Sequence, residues 1–394
     1  HLLNGVLLFW LTRLLLRPLR GLGTEPEERR AGLLAALVTG AWLVLPINLT
    51  GVLYIVQRME SMANLFVLAG LIGYVGARRR MLAGRSGFGL ALLSLIVPTG
   101  LGLLAKETAV LLPLYALVIE WAVFRFEAPL PRKPHRPRDW RIYILFALVL
   151  LAPLIVGLAW QLPKLLRPES WATRDFTMGT RLLSEARIVL DYIAWTLLPL
   201  PHELSFYHDD FVASSGWLHP WTTLPSVIGI AVLVALPFAL RRRWPLAALG
   251  LGLYLAAHTL TATILPLELI YEHRNYFASY GLLLVVVPPL AALTRGLPAP
   301  AHIWLERGLL IALALLWIGE TATSAYAWGN QLRLAQELAA RSPDSPRSQY
   351  ELGRTYIIYS HYDPGSVYTR LAYAPLERAA ALPESSLLPQ QALI

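Results

Sequence analysis

Ten stretches of largely apolar residues recur along this chain, at 1–16, 31–50, 61–77, 87–105, 108–124, 142–162, 223–240, 244–265, 277–294 and 307–324. Each approaches the roughly 17–25 residues with which a helix crosses a hydrocarbon core. Backbone in lipid must satisfy its own hydrogen bonds, so such segments predict helices. Residues 1–328 are therefore expected to form an all-α, multi-pass transmembrane domain with about ten spans. Composition agrees: 56% of residues are hydrophobic, 15% are charged, and mean hydropathy is +0.51. The absence of cysteine excludes a disulfide framework and a thiolate metal site. A net charge of +9 would suit nucleic acid, but the arginines fall in short clusters between apolar segments. No signal peptide is visible, because His1 opens directly onto an apolar helix, and the chain is expected to start within a longer protein.

The positive-inside rule orients the spans. Arg78-Arg79-Arg80 with Arg85, the stretch Arg132 to Arg138, and Arg241-Arg242-Arg243 are placed in the cytoplasm. The loops around Arg58, Lys106 and Glu272 then lie together on the external side. Residues 184–200 carry Glu185, Arg187 and Asp191 between apolar positions. A full crossing there would force Arg241–Arg243 outside, so an amphipathic helix in the external interface is expected instead.

Three acid/base groups interrupt the apolar sequence where charge is expensive. Glu272-His273-Arg274, with Asn275 and Tyr276, lies between two spans. Arg58 and Glu60 bracket a turn, and Lys106-Glu107 forms a very short connection between spans. Such cations suit a phosphate: Arg grips it bidentately, and Lys meets it as a point charge. Each also has a plain structural reading: a solvated loop for Glu272 to Tyr276, an intramolecular ion pair for Arg58 and Glu60, and a Lys snorkelling beside a Glu at a helix start for Lys106-Glu107. His1 and Asn4, one helical turn apart, read as interhelical hydrogen-bonding groups or as lining the same cavity. Asp209 and Asp210, beside His208, are a candidate site for a divalent cation or for acid/base work; the alternative is an interfacial loop with solvated acids.

After residue 328 the sequence turns soluble. Residues 329–394 contain Leu352-Gly353, Tyr356, Ala374, Leu376, Ala379, Leu382 and Pro383, which resemble one tetratricopeptide repeat. A single repeat cannot bury its own face, so further repeats after Ile394 or packing on the membrane domain are expected.

Taken together, Pro46-Ile47-Asn48-Leu49-Thr50, Tyr54 to Ser61, Lys106-Glu107-Thr108 and Glu272 to Tyr276, followed by the repeat-like region, resemble bacterial GT-C glycosyltransferases. The nearest group is protein O-mannosyltransferase-like, carries tetratricopeptide repeats, and is related to the eukaryotic transmembrane-and-tetratricopeptide mannosyltransferases. The resemblance implies a GT-C-like domain and an enzyme of the bacterial inner membrane. Such an enzyme takes a sugar from a polyprenyl-phosphate donor and attaches it to a protein or glycan acceptor on the external, periplasmic face. It also implies that Arg58, Lys106 and Arg274 stabilise the donor phosphate. Glu60, Glu107 and Glu272 would hold those cations or bind sugar hydroxyls, with His273 in either role and Tyr276 lining the site. The catalytic carboxylate of that family lies in the first external loop, which would precede His1. The repeat region would receive a protein acceptor or partner on the external side.

Two other classes fit the same features. A transporter or flippase for a lipid-linked or anionic solute places charges near the bilayer midplane and shows internal repeats; here the charges sit at one boundary and no repeat is visible. A non-catalytic membrane scaffold would use the soluble helices to recruit partners.

Overall fold

The computed structural model describes residues 1–20, 25–129, 138–291 and 299–394; the expected cytoplasmic stretch at 132–137 lies outside these. The described residues are helical, without a strand, and contain isolated bridges between Glu127 and Arg138 and between Gly216 and His219.

Helices occupy all ten apolar segments. The first four long ones are α1 (Leu2–Arg20), α2 (Glu25–Leu43), α4 (Arg58–Leu82) and α5 (Phe88–Leu103), with the single turn α3 (Thr50–Leu53) before α4. Next comes α6 (Leu112–Ile119), which starts from a 3-10 turn at Glu107–Leu111 and ends in a π turn at Glu120–Phe124. A further π turn joins α7 (Trp140–Phe146) to α8 (Ala152–Leu165). Then follow α9 (Met178–Leu197), α10 (Thr223–Leu240), α11 (Pro245–His258), α12 (Asn275–Leu290) and α13 (Ala299–Trp328). Among the described residues five helical stretches are long and apolar enough to cross a membrane, or six if the bent pair Glu25–Leu43 and Pro46–Leu53 counts as one span. Phe88–Leu103 and Pro245–His258 are apolar but shorter.

The segment 244–265 therefore differs from the sequence expectation. Its helix stops at His258, and the irregular stretch that follows, through Leu269, gives its carbonyls to two arginines. Arg181 donates to Thr261, Thr263 and Leu267, and Arg274 donates to Glu268 and Leu269. Arg78 also departs from expectation. It is no solvated member of a basic loop: it is fully buried and forks onto Glu120 at 2.8 Å through both Nε and Nη2, while Tyr74 donates to the same carboxylate at 2.7 Å.

The helices alternate in direction, which gathers the connections at two ends. Residues 43–58, 103–107 and 258–275 share one end, as does α9; Arg79–Arg85, Arg125 and Arg241–Arg243 lie at the other. A buried ion pair ties α4 to the α6 stretch at each end, Glu60 with Lys106 and Arg78 with Glu120. About 27 Å of helix separates Glu60 from Arg78 at ~1.5 Å per residue, close to the thickness of a hydrocarbon core.

Helix α9 begins at a capping box, with Thr177 accepting from the Thr180 amide and Thr180 accepting in return. Its buried positions, among them Arg181, Glu185, Ile188, Tyr192 and Trp195, recur at three- and four-residue spacing and face α10 and α12. The segment 184–200 therefore has one buried face, but Glu185, expected on its polar side, lies within that face while Leu198 is exposed.

The last four helices are α14 (Gln331–Arg341), α15 (Pro346–Tyr359), α16 (Val367–Ala381) and α17 (Leu388–Ala392). α15 and α16 form an antiparallel pair in which Gly353 permits the approach: a Cβ there would stand 2.5 Å from Leu376 Cγ.

Candidate functional site

The 3-10 turn Glu272–Arg274 packs against both the Pro46–Asn48 turn and α3, while the Glu107–Leu111 turn packs on α4. Three polar segments far apart in sequence thus share one end of the bundle. At their centre Glu60 is buried and accepts from Lys106 Nζ at 3.0 Å, Asn64 Nδ2 at 2.8 Å and Thr108 Oγ1 at 3.1 Å. Lys106 is 9% exposed and also donates to Gln57 Oε1 at 2.8 Å. An ammonium carries three donors, so Glu60 and Gln57 occupy two and leave one. Stripping both partners of water is costly, and the neutral donors on Glu60 are what make the pair tolerable there.

Arg58, at the start of α4, is exposed and uses only Nε, donating to the Val52 carbonyl at 3.0 Å. Glu107 is exposed one residue beyond Lys106. Around them Ile55, Val56 and Leu104 are largely uncovered. An apolar surface of this kind beside a cation suits an interface with lipid.

Within the third segment the side chains diverge. Glu272 is buried, accepts the Phe206 amide at 3.1 Å and lies 3.6 Å from His208 Nε2. Arg274 turns to the Glu268 and Leu269 carbonyls, each at 2.6 Å, and covers the Tyr271 ring. His273 is buried, and that burial, then the nearby Lys106 and Arg274 charges, pulls its imidazole down to about 2, so it is neutral near pH 7. Tyr276 OH takes Asn4 Nδ2 at 3.0 Å and meets His1 Nδ1 at 2.9 Å, and Asn4 also donates to the Ser61 carbonyl at 2.7 Å. His1, Trp42 and Tyr276 form one aromatic group, with Trp42 and Tyr276 edge-on.

The site therefore pairs Glu60 with Lys106, holds Tyr276 in a separate group with His1, Asn4 and Trp42, sets Arg58 and Glu107 at the rim, and turns Glu272 and Arg274 toward neighbouring loops. The sequence reading included Gln57 and Thr108 in its motifs without giving them a role, and it passed over Asn64. Asn64, one turn beyond Glu60 on α4, had a legible helical signal. It also passed over the pair Arg181 and Glu185, 2.6 Å apart on α9. Burial lifts Glu185 to about 7, against the opposing pull of Arg181.

Asp209 lies elsewhere. It accepts from Ser345 Oγ at 2.5 Å and from the Arg347 amide at 3.1 Å, at the N-terminus of α15, where a carboxylate offsets the helix dipole. Asp210 is exposed beside it. Among the described residues no three His, Cys, Asp or Glu side chains come together to hold a metal ion. Next to Asp209, Arg341 donates to the Leu204 carbonyl at 3.0 Å, Ser205 bonds Ser342, and Phe206 packs edge-on to Trp328. The strap 204–209 thus touches both the turn at Glu272 and the C-terminal helices. Comparison with protein-family models, with curated proteins and with solved structures returns no match.

Proposed function

We propose that this chain is the donor-binding part of a membrane glycosyltransferase of GT-C type. It takes a sugar from a polyprenyl-phosphate carrier and passes it to a protein or glycan acceptor on the external face of a bacterial inner membrane. The observation that carries the reading is Lys106: a lysine held at the bundle end by Glu60 and Gln57, with one donor left, beside the exposed Arg58. Cations fixed in a low-dielectric setting stabilise charge that develops on a leaving phosphate, and their prior fixation avoids reorganisation during the reaction. The uncovered Ile55, Val56 and Leu104 offer apolar surface for the isoprenoid chain.

In the reaction the acceptor hydroxyl oxygen attacks the anomeric carbon and the bond from that carbon to the phosphate oxygen breaks. The hydroxyl proton passes to a carboxylate base. Glu60 is engaged by Lys106, Asn64 and Thr108, which suits it to holding the lysine. Arg274, by ordering 268–271, acts on the site's shape, and Glu272 holds the strap. The α15–α16 pair is the tetratricopeptide-like surface for a protein acceptor or partner.

The test is sugar transfer from a synthetic polyprenyl-phosphate sugar by the full natural protein in membranes. Arg58→Ala disturbs one surface hydrogen bond and is expected to keep the fold while lowering transfer about 100-fold. Full activity in this variant would sink the assignment. Wild-type protein that transfers no sugar, yet still captures a partner through residues 329–394, would establish the scaffold reading instead.

A further inference from the structure

At the end of the bundle away from Lys106, Trp121, Arg125, Phe238, Arg241 and Arg242 line a cavity of about 600 Å3. Its walls are the π turn that closes the α6 stretch and the C-terminus of α10. Trp121 meets Phe238 edge-on with ring centroids 5.2 Å apart, and the Arg241 guanidinium covers the Trp121 ring at 4.7 Å. Arg125 ends the span in the left-handed region at φ 56°, which brings it to the cavity instead of continuing the helix.

Three guanidinium groups share this space, and none of them has an ion pair with a carboxylate among the described residues. The Arg241 Nε is buried without a hydrogen-bond partner. Among the other described residues each buried Arg or Lys has its acid: Arg78 has Glu120, Lys106 has Glu60 and Arg181 has Glu185. The stretches 128–138 and 240–250 contain no acid; the acids that flank the first are Glu127 and Asp139, and Asp139 pairs with Arg141 and Arg78. Burial, and then the charges of Arg125, Arg242 and Arg138, hold Arg241 below the ordinary guanidinium range. A desolvated donor among like charges is unfavourable until an anion joins it. Phe238, which lines the cavity, is 67% exposed, and Trp244, two residues beyond Arg242, is 49% exposed; Trp is the side-chain type that settles at the level of lipid head groups.

We propose that this cavity binds the phosphate of an anionic membrane phospholipid. Arg125, Arg241 and Arg242 meet the phosphate, and Trp121 and Phe238 lie against the glycerol and the start of the acyl chains. Forked guanidinium groups fit phosphate oxygens, and basic pockets between membrane helices hold such head groups. The site stands at the opposite end from the proposed donor site, so the two stand or fall separately.

The experiment places the full chain in phosphatidylcholine nanodiscs and titrates phosphatidylglycerol, with binding read by native mass spectrometry. A second arm adds inorganic phosphate alone. Saturable binding of phosphatidylglycerol is expected, weakened at least about tenfold in the double variant R125Q/R241Q. Arg243→Gln, which removes the same charge outside the cavity, should leave binding within about twofold. If the double variant does not fold, Arg242→Gln on its exposed side chain should still weaken binding about fivefold. Equal binding by wild type and every cavity variant would overturn the proposal. Inorganic phosphate that binds as tightly and is lost in the same variants would overturn the lipid and assign a soluble phosphate.

Discussion

Glu60 and Lys106 show how an apolar bundle accommodates charge. Neither could be buried alone, because an unpaired ion in such a setting costs several kcal/mol; together, with Gln57, Asn64 and Thr108 filling the remaining hydrogen-bonding positions, they are tolerated. Lys106→Met is therefore expected to strand the Glu60 carboxylate and lower stability by about 3–5 kcal/mol, whereas Lys106→Met with Glu60→Leu should recover most of the loss. Thermal unfolding of the purified variants in detergent reads the difference. A double variant as unstable as the single one would show that the pair contributes more than mutual neutralisation. The acid and the base at 60 and 106 were visible in the sequence as charges in apolar surroundings. Their partnership was not, since two turns separated by most of a helical hairpin are joined only in three dimensions.

At the scale of elements, small residues decide how closely helices approach. α11 and α12 meet at Gly250 and Gly281, where an added Cβ would stand 2.3 Å from the Gly281 carbonyl oxygen and 2.5 Å from the Gly250 carbonyl oxygen. Those neighbours are backbone atoms, which cannot swing aside as a side chain can. In lipid, where tails are as apolar as leucine, such close backbone contact is a main source of helix association. Gly281→Ala is expected to force the two helices apart and cost about 1–3 kcal/mol, seen as faster hydrogen exchange in residues 245–290 with α14–α17 unchanged. Protection equal to wild type in α11 and α12 would refute this account of their packing. The apolar stretches of α11 and α12 were readable in sequence, yet the end of α11 at His258 was not. The carbonyls beyond it are collected by Arg181 and Arg274 from outside the helix, and no local signal announces that.

For the whole molecule, alternation of the helices separates two kinds of charge. The acid/base turns at Arg58, Lys106 and Glu272 face one end with α9 and the C-terminal helices, while the arginine clusters face the other. The chain has no cysteine, which gives a clean background for labelling. Glu107→Cys and Arg242→Cys, both at exposed positions, are expected to react with a membrane-impermeant maleimide from opposite sides of intact cells and inverted vesicles. Labelling of both from the same side would break the topology. The strap 204–209 adds a coupling that no single segment foretells: Glu272 grips Phe206, and Asp209 caps α15, so the polar end and the C-terminal helices share one loop.

By itself the sequence determined the material of this protein. Windows of span length and low charge leave the helix as the only secondary structure that satisfies its backbone in lipid, and arginine clustering divides the loops into two sets. It also marked Glu60, Lys106 and Glu272 as charges with a reason to be there. Only tertiary structure decided what each one does. Burial and pairing are properties of neighbours from distant segments: Arg78, legible as one of three surface arginines, became an interior fork on Glu120, and Asp209, legible as a candidate cation ligand, became a helix cap. The energy of a buried charge is fixed by the donors and acceptors within about 3 Å, and that shell is assembled by folding.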